Sequence, residues 1–143
     1  MVTNKNAASH LHHIGFVVAK IQQSIKDFVF SLEADWDEKI THDPSQKVNV
    51  TFIRTAGATD ALIELVEPAG EDSPVLSFLQ KGGGLHHLCY EVADLDAELS
   101  EMRGKGVVVV RKPIPAVAFE NRRIAWVSTK QNLLLELLEA RKG

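Results

Sequence analysis

The sequence predicts an α+β fold in which two tandem β-α-β-β-β modules pair into a cupped, barrel-like sheet. Three observations carry this expectation. Leu11-His12-His13-Ile14-Gly15-Phe16-Val17-Val18-Ala19 returns 74 residues later as Leu85-His86-His87-Leu88-Cys89-Tyr90-Glu91-Val92-Ala93. Leu62-Ile63-Glu64-Leu65-Val66-Glu67 returns 72 residues later as Leu134-Leu135-Glu136-Leu137-Leu138-Glu139. The chain has 143 residues, about twice either offset, so two copies of one supersecondary unit fill it.

The elements follow in order. Residues 1–9 are polar, carry no apolar segment that could act as an export signal, and are expected to be disordered. Module 1 covers about residues 10–68. Its His-His segment alternates with period 2 and reads as a strand. Ile21, Ile25, Phe28, Val29 and Leu32 then recur at helical spacing, and three strands follow near residues 36–41, 48–54 and 61–66. The connector, residues 69–83, carries a short helix with Ser73 as its cap, Pro74 at its first position and Gly82-Gly83-Gly84 at its end. Module 2, about residues 84–140, repeats the pattern. Its helix is marked by Leu95, Leu99 and Met102, opened by Asp94 and closed near Gly104 and Gly106. Its strands fall near residues 107–111, 123–128 and 133–138. Residues 10–143 thus read as a single domain.

Composition narrows the function classes. With 45% hydrophobic and 24% charged residues the chain can bury a sizeable core. A net charge of −3 lacks the basic footprint that nucleic acid requires. No apolar run approaches the roughly 20 residues of a membrane helix. The lone cysteine, Cys89, excludes an intramolecular disulfide and fits a reducing compartment. A soluble cytoplasmic protein, acting on a small molecule and contacting neither nucleic acid nor membrane, is expected.

Alternation decides which side chains share a face. His13, Gly15 and Val17 lie on one face of the first strand, and the bulkier Ile14, Phe16 and Val18 share the other with His12. In the second module His87, Cys89 and Glu91 oppose Leu88, Tyr90 and Val92, the set assigned to the core. Glu64 and Glu136 each interrupt a greasy strand, where an unpaired carboxylate costs several kcal/mol. A single strand histidine is ordinarily a structural residue, and a terminal-strand glutamate can face water. All four at repeat-related positions argue for one shared cavity. His13, Glu64, His87 and Glu136 make a ligand set for a divalent cation such as Zn, Ni, Co, Fe or Mn. His12 and His86 fall on the opposite face unless a bulge intervenes, while His10 and His42 have no spacing support. Cys89 either lines the cavity or fills space.

These residues resemble the vicinal-oxygen-chelate superfamily of glyoxalases, epimerases, extradiol dioxygenases and bleomycin-resistance proteins, over nearly the whole chain. Within it the chain is most similar to the methylmalonyl-CoA epimerases. The specific stretches are Leu11 to Gly15, Ile63-Glu64-Leu65-Val66-Glu67-Pro68, Asp72-Ser73-Pro74 through Phe78-Leu79, and Gly83-Gly84-Leu85 through Val92. The resemblance implies metal ligation by the same four residues: His13, Glu64, His87 and Glu136. Two departures stand out. Pro44-Ser45-Gln46-Lys47-Val48 replaces a stretch whose glutamate is linked to proton transfer in the epimerases, so Ser45 stands for the acid, with His42 and Asp43 nearby. Residues 115–123 replace a glycine-rich loop.

The expected function is a divalent-metal-dependent epimerase or isomerase that abstracts a proton through a metal-stabilised enolate. Glu136 and Glu64 are the candidate catalytic carboxylates. The substrate is expected to be an acyl-CoA thioester of the methylmalonyl type. A glyoxalase-I-like lyase acting on a glutathione hemithioacetal, and a metal-free ligand-sequestering protein, are the alternatives. An extradiol dioxygenase fits less well, since such iron sites use two histidines and one carboxylate. A homodimer is expected.

Overall fold

A computed structural model describes residues 9–57 and 61–142. The expectation of a disordered N-terminus therefore falls outside the described residues, apart from Ser9. Module 1 comprises β1 (His10–Val17), α1 (Ile21–Leu32), β2 (Asp35–Trp36), β3 (Thr41–Asp43), β4 (Val48–Arg54) and β5 (Leu62–Pro68). After α2 (Leu76–Gln80), module 2 comprises β6 (Gly84–Val92), α3 (Leu95–Gly104), β7 (Val108–Pro115), a 3-10 turn (Val117–Phe119), β8 (Arg123–Ser128) and β9 (Leu134–Glu139).

The nine strands of the described residues join one sheet in the order β2-β4-β5-β1-β6-β9-β8-β7, with β3 alongside β4. β1 and β6 pair antiparallel at its centre, so the modules join edge to edge within one chain. β5 lies parallel to β1, and β9 parallel to β6. Ile14 pairs with its repeat equivalent Leu88, which places a pseudo-twofold axis between them. The ladder shifts by one between Leu11 and His13 and shifts back between Gly15 and Phe16. The first shift leaves His12 as an extra residue in β1. The second leaves His86 as an extra residue in β6.

The helices cover one face. α1 buries Ile21 and Ile25 against Val18, Ile53 and Leu65. α3 buries Leu95 and Leu99 against Val92, Ala125, Val127 and Leu137. Asp94 caps α3 by accepting from the Ala97 N–H at 3.0 Å, as its sequence signature predicts. Lys20 offers α1 no such cap. The buried Glu67 of β5 instead accepts from the Ile21 N–H at 3.4 Å, a negative charge at the positive end of the helix.

The other face is concave. Val17, Val48, Val50, Val66 and Val75 line its module 1 side, and Cys89, Ala116, Phe119, Ile124 and Leu138 its module 2 side. The cup is drawn together across the sequence: Trp126 Nε1 donates to Gln46 Oε1 at 3.1 Å, and Arg111 donates to the Ser45 carbonyl at 3.1 Å.

Several local expectations are corrected. The single strand at 36–41 is two short ones, because Glu38 adopts φ 66° between them. Ser73 does not cap α2; its carbonyl accepts from the Leu76 N–H at 3.2 Å, and its buried hydroxyl has no partner. Gly83, at φ 67°, ends that helix by donating to the Phe78 carbonyl. The strand expected at 107–111 runs on to Pro115. Tyr90, assigned to the core, is 37% exposed, because the two helix-backed clusters contain neither it nor its partner Leu11. Among the described residues no helix is long and apolar enough to cross a membrane.

Candidate metal centre

Four adjacent central strands each supply one buried polar side chain to the floor of the cup. His13 comes from β1, Glu64 from β5, His87 from β6 and Glu136 from β9, and none is more than 5% exposed. His13 Nε2 and His87 Nε2 stand 3.1 Å apart. Glu64 Oε1 lies 3.4 Å from His13 Nε2 and 3.2 Å from His87 Nε2. Glu136 Oε1 lies 3.1 and 3.5 Å from the same two nitrogens. The structure thus brings together all four residues that the repeat selects.

The strand register explains how four side chains fit one spot. Gly15 pairs with His87, and Cys89 with His13, so each imidazole sits opposite a small residue. A side-chain carbon on Gly15 would overlap the His87 ring. Gly15 also pairs with Glu64, and Cys89 with Glu136. On their other sides the carboxylates face aromatic residues: Phe52 pairs with Glu64 and Trp126 with Glu136. The His13 and Phe52 rings lie 5.3 Å apart, and the His87 and Trp126 rings 4.7 Å, both edge to face. Phe52 and Trp126 are themselves 74 residues apart, so the repeat offset marks them too.

The donors fit a cation. Four candidate ligand atoms lie within 4.8 Å of one another, and the five edges that involve a histidine nitrogen measure 3.1–3.5 Å, the spacing of nitrogen and oxygen ligands held roughly 2.0–2.2 Å from a common centre. Glu136 Oε1 is fully buried without a hydrogen-bond partner, and two imidazole nitrogens point at each other beside it. Such an arrangement is costly unless positive charge occupies the middle. Burial disfavours charge on every member, but the neighbours outweigh it. Glu64 and Glu136 push His13 well above the ordinary histidine range and raise His87 as well. The two histidines hold Glu64 and Glu136 below the usual carboxylate range.

The expected placement of His12 and His86 on the opposite face is overturned. Each is the extra residue of a bulge, and a bulge turns its side chain toward that of the next residue. His12 Nδ1 stands 2.8 Å from His13 Nδ1, and its ring packs 5.3 Å from Phe119. His86 Nδ1 stands 2.9 Å from His87 Nδ1, and His86 lines the cavity between Phe78 and Trp126. Burial, followed by the adjacent histidine, pushes both His12 and His86 down to about 4. Cys89 is fully buried, and burial followed by Glu136 pushes its thiol up, so it serves as a small neutral neighbour of His13.

Above the floor lies a cavity of about 290 Å³ walled by Val48, Val50, Val66, Val75, Phe119 and Trp126. Asp43 and Gln46 line it, and Arg111 joins His86 and His87 as its basic lining residues. Asp43 is tied down by four hydrogen bonds. Its carboxylate accepts from Ser45 Oγ at 2.8 Å, Gln46 Nε2 at 2.9 Å, and the Ser45 and Gln46 N–H groups at 3.0 and 3.1 Å. Burial opposes its charge, but the bonds from Gln46 and Ser45 outweigh burial and hold its pKa down. His42 is exposed and bonded to Asn49, away from the cavity lining.

Comparison with known proteins finds relatives of the same fold. The ethylmalonyl-CoA/methylmalonyl-CoA epimerase of Cereibacter sphaeroides is 29% identical over 122 residues, covering 84% of this chain and 88% of that protein. The crystal structure of methylmalonyl-CoA epimerase from Mycobacterium tuberculosis superposes with a TM-score of 0.83 at 27% identity, covering 99% of this chain and 94% of that one. A variant of the Streptomyces coelicolor methylmalonyl-CoA epimerase, in complex with 2-nitronate-propionyl-CoA, superposes with a TM-score of 0.79 at 25% identity, covering 92% and 97%. A family model matches residues 12–126, a span that opens at the first bulged histidine and closes on the tryptophan beside Glu136. On that match, the chain belongs to the Glyoxalase/Bleomycin resistance protein/Dioxygenase superfamily.

Proposed function

We propose that this chain is a divalent-cation-dependent epimerase of methylmalonyl-type acyl-CoA thioesters. The observation that carries the reading is the buried His13–Glu64–His87–Glu136 cluster at the floor of a largely apolar cavity. The likeness to epimerases of this substrate class, over most of both chains, supports it. His13, Glu64, His87 and Glu136 would hold the cation. When bound, the cation supplies Lewis-acid polarisation of two vicinal substrate oxygens, spreading the charge left when the carbon between them loses its proton.

The protein's own groups do the rest. A cavity of about 290 Å³ takes the acyl head and leaves the remainder of a CoA thioester outside. Its valine and aromatic walls exclude water from the acidic carbon. Glu64 and Glu136 are the acidic side chains at the floor that are not already saturated with hydrogen bonds, as Asp43 is. One carboxylate takes the proton and the opposite one delivers a proton to the other face of the carbon, inverting it. Their approach from opposite modules, related by the pseudo-twofold axis, suits a reaction that must run equally from either face.

The test is solvent proton exchange in D2O on methylmalonyl-CoA and, in parallel, on the methylglyoxal–glutathione hemithioacetal. Exchange on the thioester alone is expected, lost in Glu64→Gln and in Glu136→Gln. Exchange on the hemithioacetal alone would make the protein a glyoxalase-I-like lyase instead. Protein that exchanges neither and holds no cation after dialysis would be a ligand-sequestering member of the superfamily.

A further inference from the structure

We propose that His12 and His86 are positioning residues, each accepting a hydrogen bond from Nδ1 of the histidine that follows it. The proposal rests on reading the four-residue cluster as a cation site. Each module has inserted one residue into its central strand, at the same place relative to its ligand histidine, and both insertions are histidine. The two pairs have matching geometry. Nδ1 stands 2.8 Å from Nδ1 for His12 and His13, and 2.9 Å for His86 and His87. The paired rings lie 5.1 Å apart at 81° and 88°.

Chemistry then assigns the protons. His13 and His87 turn Nε2 toward the carboxylates and toward each other, so Nε2 is the atom each offers the cation. A neutral imidazole with a bare Nε2 carries its hydrogen on Nδ1. A nitrogen–nitrogen contact of 2.8–2.9 Å needs one hydrogen between the two atoms. His13 and His87 therefore donate, and His12 and His86 accept through bare Nδ1 atoms, carrying their own hydrogens on Nε2. The acceptor fixes both the ring orientation and the tautomer of the ligand, a role that carboxylates and carbonyls fill in other metal sites. An unbulged strand would point residues 12 and 86 to the helix face and leave each Nδ1 without this acceptor.

The experiment measures Zn affinity of the full chain by competition with a chromophoric chelator, for wild type and for His12→Leu, His12→Asn, His86→Leu and His86→Asn. Asparagine places Oδ1 where the imidazole had Nδ1, so it keeps the acceptor, whereas leucine keeps bulk alone. The leucine variants are expected to lose about 10- to 100-fold in affinity and the asparagine variants to stay close to wild type. In the Zn-loaded wild type, 15N spectra should show His13 and His87 protonated at Nδ1, with coupling across the hydrogen bond to His12 and His86. Leucine variants that bind as wild type does overturn the proposal, as does an equal loss in the leucine and asparagine variants, because packing would then carry the effect. Ligand histidines protonated at Nε2 overturn it without any variant. Wild type that binds no cation overturns this proposal and the cation-site reading together, whereas binding by wild type with unaffected variants removes only the role of His12 and His86.

Discussion

The indole N–H of Trp126 reaches 3.1 Å across the cup to Oε1 of Gln46, 80 residues away, and joins the rim of one module to the rim of the other. The same Gln46 amide donates to Asp43, so a single path runs from the ring beside His87 to the loop before β4. Trp126→Phe keeps the ring against His87 and removes the bridge. The expected result is a loss of about 1 kcal/mol in unfolding free energy, the usual worth of one hydrogen bond, with cation affinity unchanged. Urea unfolding and chelator competition measure the two quantities separately.

Gly15→Ala tests the close approach on which the site depends. Its φ is not in the left-handed region, so the substitution acts through the His87 ring and not through backbone strain. The ring must move off the floor, at an overpacking cost of about 1–3 kcal/mol. Metal content after dialysis is expected to fall well below one ion per chain, with the folded far-UV spectrum retained.

Cation removal should destabilise the whole domain, since both modules contribute to the His13–Glu64–His87–Glu136 cluster. Zn at 100-fold excess over its Kd is expected to add about 2.7 kcal/mol to the unfolding free energy, and a chelator to reverse it. His87→Ala should abolish the shift, and thermal melts at several Zn concentrations measure it. In chelator the pH dependence has two signs. His13 and His87 are raised above 6.5, so their contribution is full below that value and is lost as pH rises through the folded values. Glu64 and Glu136 are lowered below 4.5, so theirs is present above 4.5 and is lost as pH falls through the folded values. His12 and His86, lowered from 6.5 to about 4, lose stability as pH falls below 6.5, so metal-free stability should peak near pH 6.5.

Asp43 gives a simpler titration. Its folded pKa lies below the ordinary 3.8, so its stabilisation is present above 3.8 and disappears as pH falls through the folded value. Asp43→Asn should lose about 1.5–3 kcal/mol at neutral pH, the scale of hydrogen bonds to a charged group. The gap between variant and wild type should narrow below pH 3.8 in urea midpoints measured across pH.

The repeat made most of the site legible. His13, Glu64, His87 and Glu136 could be chosen because one offset and one alternation rule placed them on the same face. Phe52 and Trp126 stand at the same 74-residue offset, but a phenylalanine and a tryptophan share too little chemistry to be noticed as a pair. Alternation alone puts His12 and His86 on the wrong face, because a bulge is a relation between two strands. Nothing within Leu11-His12-His13 shows that Tyr90 and Cys89 leave only one step opposite two.

The two ladder shifts also bear on which changes in chain length the fold tolerates. Leu11 pairs with Tyr90 and His13 with Cys89, so a chain lacking His12 would close that step and keep every other pairing of β1 and β6. Lacking His86, it would likewise join His87 to Leu85 opposite Gly15 and Phe16. Deleting Gly15 or Leu88 instead would force every residue beyond it onto the other face. β1 and β6 thus each carry one residue that the sheet can do without, and in both it is the histidine that touches a member of the four-residue cluster.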